Sequence, residues 1–321
     1  MRGIRESEFP KPLIALAPLS EYNDLAFLRL CREFGAQLVF LGLVSSEGLS
    51  RRNQKTLELI RIDHSVRPAF AQIFGSDPGS MGEAARIIEE LGFDGVDINF
   101  GCPARKVIRV SAGAALLENL PLARKVVKAV RKAVKIPVTV KMRLGPTGKE
   151  HLELAKSAEG EGVDALILHP RTLKQGFRGK ADWEKIGELK TLVSIPVFAS
   201  GDVTDGRSFI EVLRITKCDG ALIGRAARGN PWVFRECLGV LKGQGTSQVN
   251  LNERKEVILK YLEYLQVYYG ERGLKFARLH LPFFLKGLPL ASELRRNIQL
   301  SSFSRVRELI QNYFQKLGSE K

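Results

Sequence analysis

The chain has 321 residues, 44% hydrophobic and 26% charged; that is long for one average domain and fits a barrel of about 250 residues plus a small appendage. No apolar run approaches the roughly 20 residues that cross a bilayer, and the opening MRGIRESEFPKP lacks the apolar stretch of a secretory signal, so a cytoplasmic protein with no membrane contact is expected. A formal charge of +15 exceeds what a small substrate demands and favours a polyanionic partner, whose neutralised phosphates release counterions.

Eight short apolar runs follow in chain order: 13–18, 38–44, 68–75, 95–103, 137–144, 165–172, 195–203 and 220–226. Helical periodicity fills most of the gaps, as at 80–93 and 120–135. In the second of these Leu122, Val126, Val127, Val130 and Val134 share one face. Gly-Phe-Asp-Gly at 92–95 and Gly-Val-Asp at 162–164 mark helices that end on glycine before a strand begins. Eight such βα units predict an α/β fold closed into a (βα)₈ barrel, because strand eight can then pair with strand one.

After about residue 240 the pattern changes. A Gly-, Ser- and Asn-bearing connection (239–252) leads into three or four helical stretches, among them 253–270, 273–288 and 301–318. This region holds 14 Lys or Arg against 7 Asp or Glu. The expected organisation is a catalytic barrel over 1–240 and a small basic all-helical domain over 241–321.

In such a barrel, chemistry sits at the carboxyl ends of the strands. The ends read Pro18-Leu19-Ser20, Gln72, Asn99-Phe100-Gly101-Cys102, Lys141 with Arg143, His169-Pro170-Arg171, Ser200-Gly201-Asp202 and Gly224-Arg225. Gly201 and Gly224 would let backbone N–H groups approach an anion, and loops after strands seven and eight commonly hold a phosphate. Arg225 would add charge-assisted bonds. Lys141 is costly on a central strand unless it faces the open mouth and meets an acceptor. Gln72 and Asn99 offer both donors and acceptors, as a heteroaromatic edge requires. A phosphorylated ring cofactor fits these ends.

The four cysteines, Cys31, Cys102, Cys218 and Cys237, are scattered and form no CxxC pair, which argues against a metal site or disulfide framework. Cys102 stands apart in Gly-Cys-Pro. A free thiol titrates near about 8.5 and is mostly protonated at neutral pH, able to act as a general acid. Arg105, Lys106 and Arg109 nearby could instead favour the thiolate and nucleophilic chemistry.

With these residues in hand, the chain resembles the tRNA-dihydrouridine synthase family, most closely its bacterial B-type members. The matching segments include LIALAPLSEYNDLAFLRLCREFGA, DINFGCPARKVIRVSAGAALL, VTVKMRLG, ILHPRT and IGRAARGNPWVF, spread in order over 13–234. The resemblance implies FMN held by Pro18, Leu19, Ser20, Gln72, Lys141 and His169, with Ser200, Gly201, Asp202, Gly224 and Arg225. NADPH (or NADH) would serve as transient reductant, and a flipped tRNA uridine would receive a proton on C5 from Cys102, oriented by Asn99 and Arg171. The basic tail would grip RNA through Lys275, Arg278, Arg295, Arg296, Arg305 and Arg307. No obligatory oligomer is implied.

The chain departs from the family pattern at Leu19, Ser200 and Pro170, and at Gly42, where a strand-two glutamate is common. An FMN reductase of a free pyrimidine, similar to dihydroorotate dehydrogenase, is the alternative; it would need neither the charge nor the tail. An RNA-binding protein without catalysis is the other. The tail's aromatic stretches are also compatible with a dimer interface.

Overall fold

The computed structural model describes residues 9–245 and 248–319, so the first eight residues of the expected barrel domain lie outside it. Eight parallel strands close in sequence order: β1 (Leu13–Leu16), β2 (Leu38–Ser45), β3 (Ala69–Phe74), β4 (Gly95–Phe100), β5 (Val138–Leu144), β6 (Ala165–Thr172), β7 (Val197–Ser200) and β8 (Gly220–Ile223). All eight apolar runs became strands. The closure is a β1–β8 pairing with Leu13 opposite Gly220 and Leu16 opposite Ile223. It depends on Gly220, where a Cβ would stand 2.3 Å from the Leu13 carbonyl oxygen.

Helices cover the outside. The first are α1 (Leu25–Glu33), the short α2 (Ser46–Ser50) and α3 (Gln54–Glu58), then α4 (Pro78–Glu90), α5 (Arg105–Ile108) and α6 (Leu120–Ala133). They are followed by α7 (Glu150–Gly160), α8 (Glu184–Leu192), α9 (Gly206–Thr216) and α10 (Trp232–Leu241). Their starts follow local chemistry: Asp24, Asp77 and Asp205 each accept a backbone N–H from the first turn, which satisfies donors a helix end leaves orphaned.

Strand alternation sorts the barrel interior into two levels. The lower level is an apolar plug of Leu13, Ala15, Leu38, Phe40, Phe70, Ala165, Ile167, Phe198 and Leu222, joined by Phe9. The Phe9 ring packs edge-on against Phe198 at 5.5 Å, and Phe40 against Phe70 at 5.7 Å. Continuing the same inward parity one step up each strand gives Gln72, Asn99, Lys141, His169 and Ser200. The register sets Gln72 beside Asp97 and Asp97 beside Thr139, with Asn99 beside Lys141.

Among the described residues four further α-helices follow: α11 (Leu251–Tyr269), α12 (Leu274–Phe284), α13 (Ala291–Leu300) and α14 (Phe303–Ser319). Their apolar faces join the same core as the barrel helices. The aromatic stretch is where the tail meets the barrel. Tyr261 donates to Asp24 at 3.1 Å, Tyr269 accepts from the Leu25 N–H at 2.9 Å, and the Tyr268 hydroxyl lies 2.8 Å from Ser65. Gly229, at φ +63°, presses on the α12 backbone: a Cβ would lie 2.3 Å from the Phe284 nitrogen. Gly229→Ala combines a left-handed backbone with overpacking and should destabilise by about 2 kcal/mol. Faster proteolysis within the tail checks this; an unchanged rate would contradict it.

Candidate active site

A cavity of about 530 Å³ opens at the carboxyl ends of the strands, within the range usual for ligand sites. Every expected cofactor residue lines it: Pro18, Leu19, Ser20, Gln72, Lys141, His169, Ser200, Gly201, Asp202, Gly224 and Arg225. Cys102 and Asn99 line it too. Parity and register bring them together from the ends of seven of the eight strands.

Cys102 lies just past β4, half-buried, whereas Cys31, Cys218 and Cys237 are buried. Its loop is held from beneath. Asn99 Oδ1 accepts the N–H groups of Gly101 (3.1 Å) and Cys102 (2.8 Å), and Arg143 donates to the Gly101 carbonyl at 2.7 Å. The flanking Gly113, at φ +63°, is required because a Cβ there would meet the Cys102 carbonyl at 2.8 Å.

Lys141 is half-buried in the cavity wall, and among the described residues it makes no hydrogen bond or ion pair. Burial pushes its ammonium down to about 8, with Asp97 acting in the opposite sense. Asp97, wholly buried, is pushed up by burial to about 7, against the bonds from Thr139 and Gln72 and the charge of Lys141. The cation in the cavity wall and the carboxylate buried beneath it feel each other's charge, each limiting the other's shift.

His169 is held neutral. Burial and then the surrounding Lys141, Arg143, Arg171 and Arg225 drive it down to about 2. The Arg171 guanidinium lies 3.0 Å from Nε2; it can only donate, so Nε2 accepts and Nδ1 carries the proton. The unfolded imidazole titrates near about 6.5, so below that pH the unfolded chain binds a proton that the folded one refuses. Stability therefore falls as pH drops. Between pH 7 and 5 the wild type should lose about 2 kcal/mol more than His169→Asn. Urea unfolding at the two pH values measures it, and an equal loss in both proteins would refute it.

The geometry gives several of these residues partners within the protein. Arg171 does not line the cavity. It is 1% exposed, with Nη2 against both Asp202 oxygens (2.6 and 2.8 Å) and the Gly179 carbonyl at 2.8 Å, so it braces the strand-six and strand-seven loops. Asn99 and Gln72 have their amides turned inward: Asn99 Nδ2 donates to Gln72 Oε1 at 2.9 Å, and Gln72 Nε2 to Asp97 at 2.6 Å. In the tail, Arg278 is half-buried and donates to the Ser301 carbonyl at 3.1 Å. Lys275, Arg296, Arg305 and Arg307 are exposed and Arg295 partly so; Arg305 pairs with Glu308.

At Gly42 the chain has φ +101° and the β2–β3 register shifts between Leu41 and Val44. A Cβ there would meet the Gln72 carbonyl at 2.8 Å. This bulge turns Leu43 into the cavity wall. Residues that the sequence reading left aside also contribute. Asp97 sits under the site. Phe177, 55% exposed at the rim, lies under Arg143 and Arg225 at 5.2 and 4.9 Å. Its signal was an aromatic alone in the polar loop LKQGFRGK.

The residues fit a phosphorylated ring. Gly224 supports this: a Cβ there would meet only ordinary contacts with Leu19 and Ala17, 3.6 Å and beyond, so this chain's own packing does not demand glycine. The space matters to whatever fills the cavity. The unpaired Lys141 beside it offers a donor to an anionic ring edge. Among the described residues no cluster of three His, Cys, Asp or Glu could hold a metal, and no helix is long and apolar enough to cross a membrane.

A closed parallel barrel with a lysine left uncommitted at its mouth, beside a half-buried thiol and under Arg225, suits an oxidoreductase that works on a bound ring cofactor. The sequence matches the family described as Dihydrouridine synthase (Dus) over residues 15–317. It is 40% identical over 288 residues to tRNA-dihydrouridine synthase B of Pseudomonas syringae pv. tomato, covering 88% of this chain and 85% of that one. Probable tRNA-dihydrouridine synthases of Rickettsia bellii (38% over 292 residues; 89% and 90% covered) and Aquifex aeolicus (38% over 295; 90% and 92%) are similar. Among solved structures, histamine dehydrogenase from Rhizobium sp. 4-9 shares the fold, with a TM-score of 0.54 at 13% identity over 78% of this chain and 48% of that one. The chain belongs to the dihydrouridine synthase family and is a flavin-dependent oxidoreductase.

Proposed function

We propose that this enzyme reduces the C5–C6 double bond of uridines in tRNA, with FMN resident in the barrel mouth and NADPH or NADH as reductant. One observation carries it: Cys102, the half-buried cysteine, and the uncommitted Lys141 line the same cavity. FMN, when bound, supplies the hydride that reaches uracil C6. Lys141 would hold the ring's pyrimidine edge, where negative charge gathers on reduction. His169, neutral with its proton on Nδ1, donates a hydrogen bond without adding charge. Gly201, Gly224 and Arg225 would hold the phosphate. Cys102 delivers the proton to C5 as general acid.

The target base must leave its stack to enter this cavity, and the exposed Phe177 at the rim offers a face for it or its neighbour. Residues 241–321 would act as the RNA grip, with Lys275, Arg296, Arg305 and Arg307 as phosphate contacts and Arg295 at their edge. A tRNA substrate sets the place of action in the cytoplasm. The test is incubation of the holoenzyme with NADPH and tRNA from cells lacking this gene, followed by site-by-site mapping of dihydrouridine. New dihydrouridine at discrete positions supports the reading. None, with turnover of free uracil or dihydroorotate instead, overturns it in favour of a small-pyrimidine reductase.

A further inference from the structure

Beneath Cys102 runs a line of polar side chains that no step above uses. Thr139 Oγ1 donates to Asp97 Oδ1 at 2.5 Å, and Gln72 Nε2 donates to Asp97 Oδ2 at 2.6 Å. Asn99 Nδ2 donates to Gln72 Oε1 at 2.9 Å, and Asn99 Oδ1 accepts the N–H groups of Gly101 and Cys102. Asp97 is 0%, Thr139 1% and Gln72 2% exposed, so water cannot substitute for a missing partner.

The line has a direction: every donor points toward Asp97. Above pH 7 Asp97 is ionised and only accepts, and a backbone N–H only donates, while a primary amide does one at each end. The two termini therefore dictate which way both amides face. Turning either one would set donor against donor on one side and acceptor against acceptor on the other.

We propose that Asp97 is a positioning residue for Cys102: its carboxylate orients Gln72, Gln72 orients Asn99, and Asn99 fixes the two N–H groups that aim the thiol into the cavity. The consequence for catalysis rests on the reading of Cys102 as proton donor. The alternative, that these groups merely satisfy one another in the core, would be indifferent to direction.

Direction can be tested because the Thr139 hydroxyl can either donate or accept. In Asp97→Asn, the new amide keeps its oxygen toward Gln72 by turning its NH₂ to Thr139. Thr139→Val removes that escape while keeping shape. Amide hydrogen exchange of the holoenzyme peptide containing Gly101 and Cys102 should stay near wild type in Thr139→Val. In the double variant it should accelerate by about tenfold, well beyond the sum of the two single effects, with β1 and β8 peptides unchanged. Relative to Asp97→Asn, which already lacks the charge near Lys141, reoxidation of the reduced flavin by tRNA should slow by about tenfold in the double variant while reduction by NADPH is unchanged. A double variant that holds flavin yet exchanges like wild type, or two single effects that simply add, would overturn the proposal. Should the double variant lose its flavin, Gln72→Met cuts the line at similar volume, and wild-type exchange there overturns it equally. If the wild type does not reduce tRNA at all, the proposed function falls, and the exchange data still decide the role of Asp97.

Discussion

Cys102→Ala is expected to bind flavin and be reduced by NADPH as the wild type is, and to reduce uridine in tRNA about 10²- to 10⁴-fold more slowly. The split follows from geometry. The thiol is half-buried at the cavity rim, and its loop is fixed through backbone groups: Asn99 holds two N–H groups and Arg143 the Gly101 carbonyl. Removing Sγ leaves those bonds in place, so the cavity keeps its shape and loses only a proton donor. Stopped-flow traces of the two half-reactions measure it directly. Equal loss in both halves would mean that Cys102 supports the cavity rather than the proton transfer; no loss in either would remove it from the reaction.

Arg171→Leu is expected to cost about 3 kcal/mol and to empty the flavin site. The guanidinium is buried and makes two bonds to Asp202, one to the Gly179 carbonyl and one to His169. Without it, Asp202, whose side chain is 29% exposed, keeps only the Ala181 N–H and a distant Arg225 as partners. That partial exposure sets the estimate at the low end for a broken buried pair. Asp202 also sits at φ +58°, a conformation its partners must maintain. Arg171→Lys should recover little, since one ammonium nitrogen can replace Nη2 at Asp202 and the Gly179 carbonyl but not also Nη1 at His169 and Nε at the Arg178 carbonyl. Melting temperature and flavin absorbance of the purified proteins test both. A yellow, stable Arg171→Leu protein would contradict the bracing role.

The eight strands, the strand-end cavity lining and the family were legible because they rest on short-range rules. Apolar runs separated by helical periodicity specify βα units, and period-two alternation puts Gln72, Asn99, Lys141 and His169 on one side of the sheet. Glycine, proline and cysteine patterns at strand ends mark the mouth. These features are written into neighbouring residues and need no knowledge of what lies across the barrel.

What each polar group faces was decided only by the closed barrel. The residue types of Gln72, Asn99 and Arg171 suit a base or ring. Register also sets Gln72 against Asp97 and Asn99 against Gln72, and the strand-seven loop brings Asp202 to Arg171. An amide or guanidinium satisfied within the protein looks the same in sequence as one reaching for a ligand. Asp97 was passed over for the same reason: in GVDINF it is one acid on an apolar strand, and its meaning appears only when β3 and β5 lie beside it. The tail aromatics followed suit, docking on α1 and on Ser65 across a separation of about 200 residues. The sequence thus determined the scaffold and the inventory of the site, since both follow from local pattern. The tertiary structure decided which groups are spent on one another and which remain for a ligand, since hydrogen-bond direction depends on neighbours that the chain brings from far away.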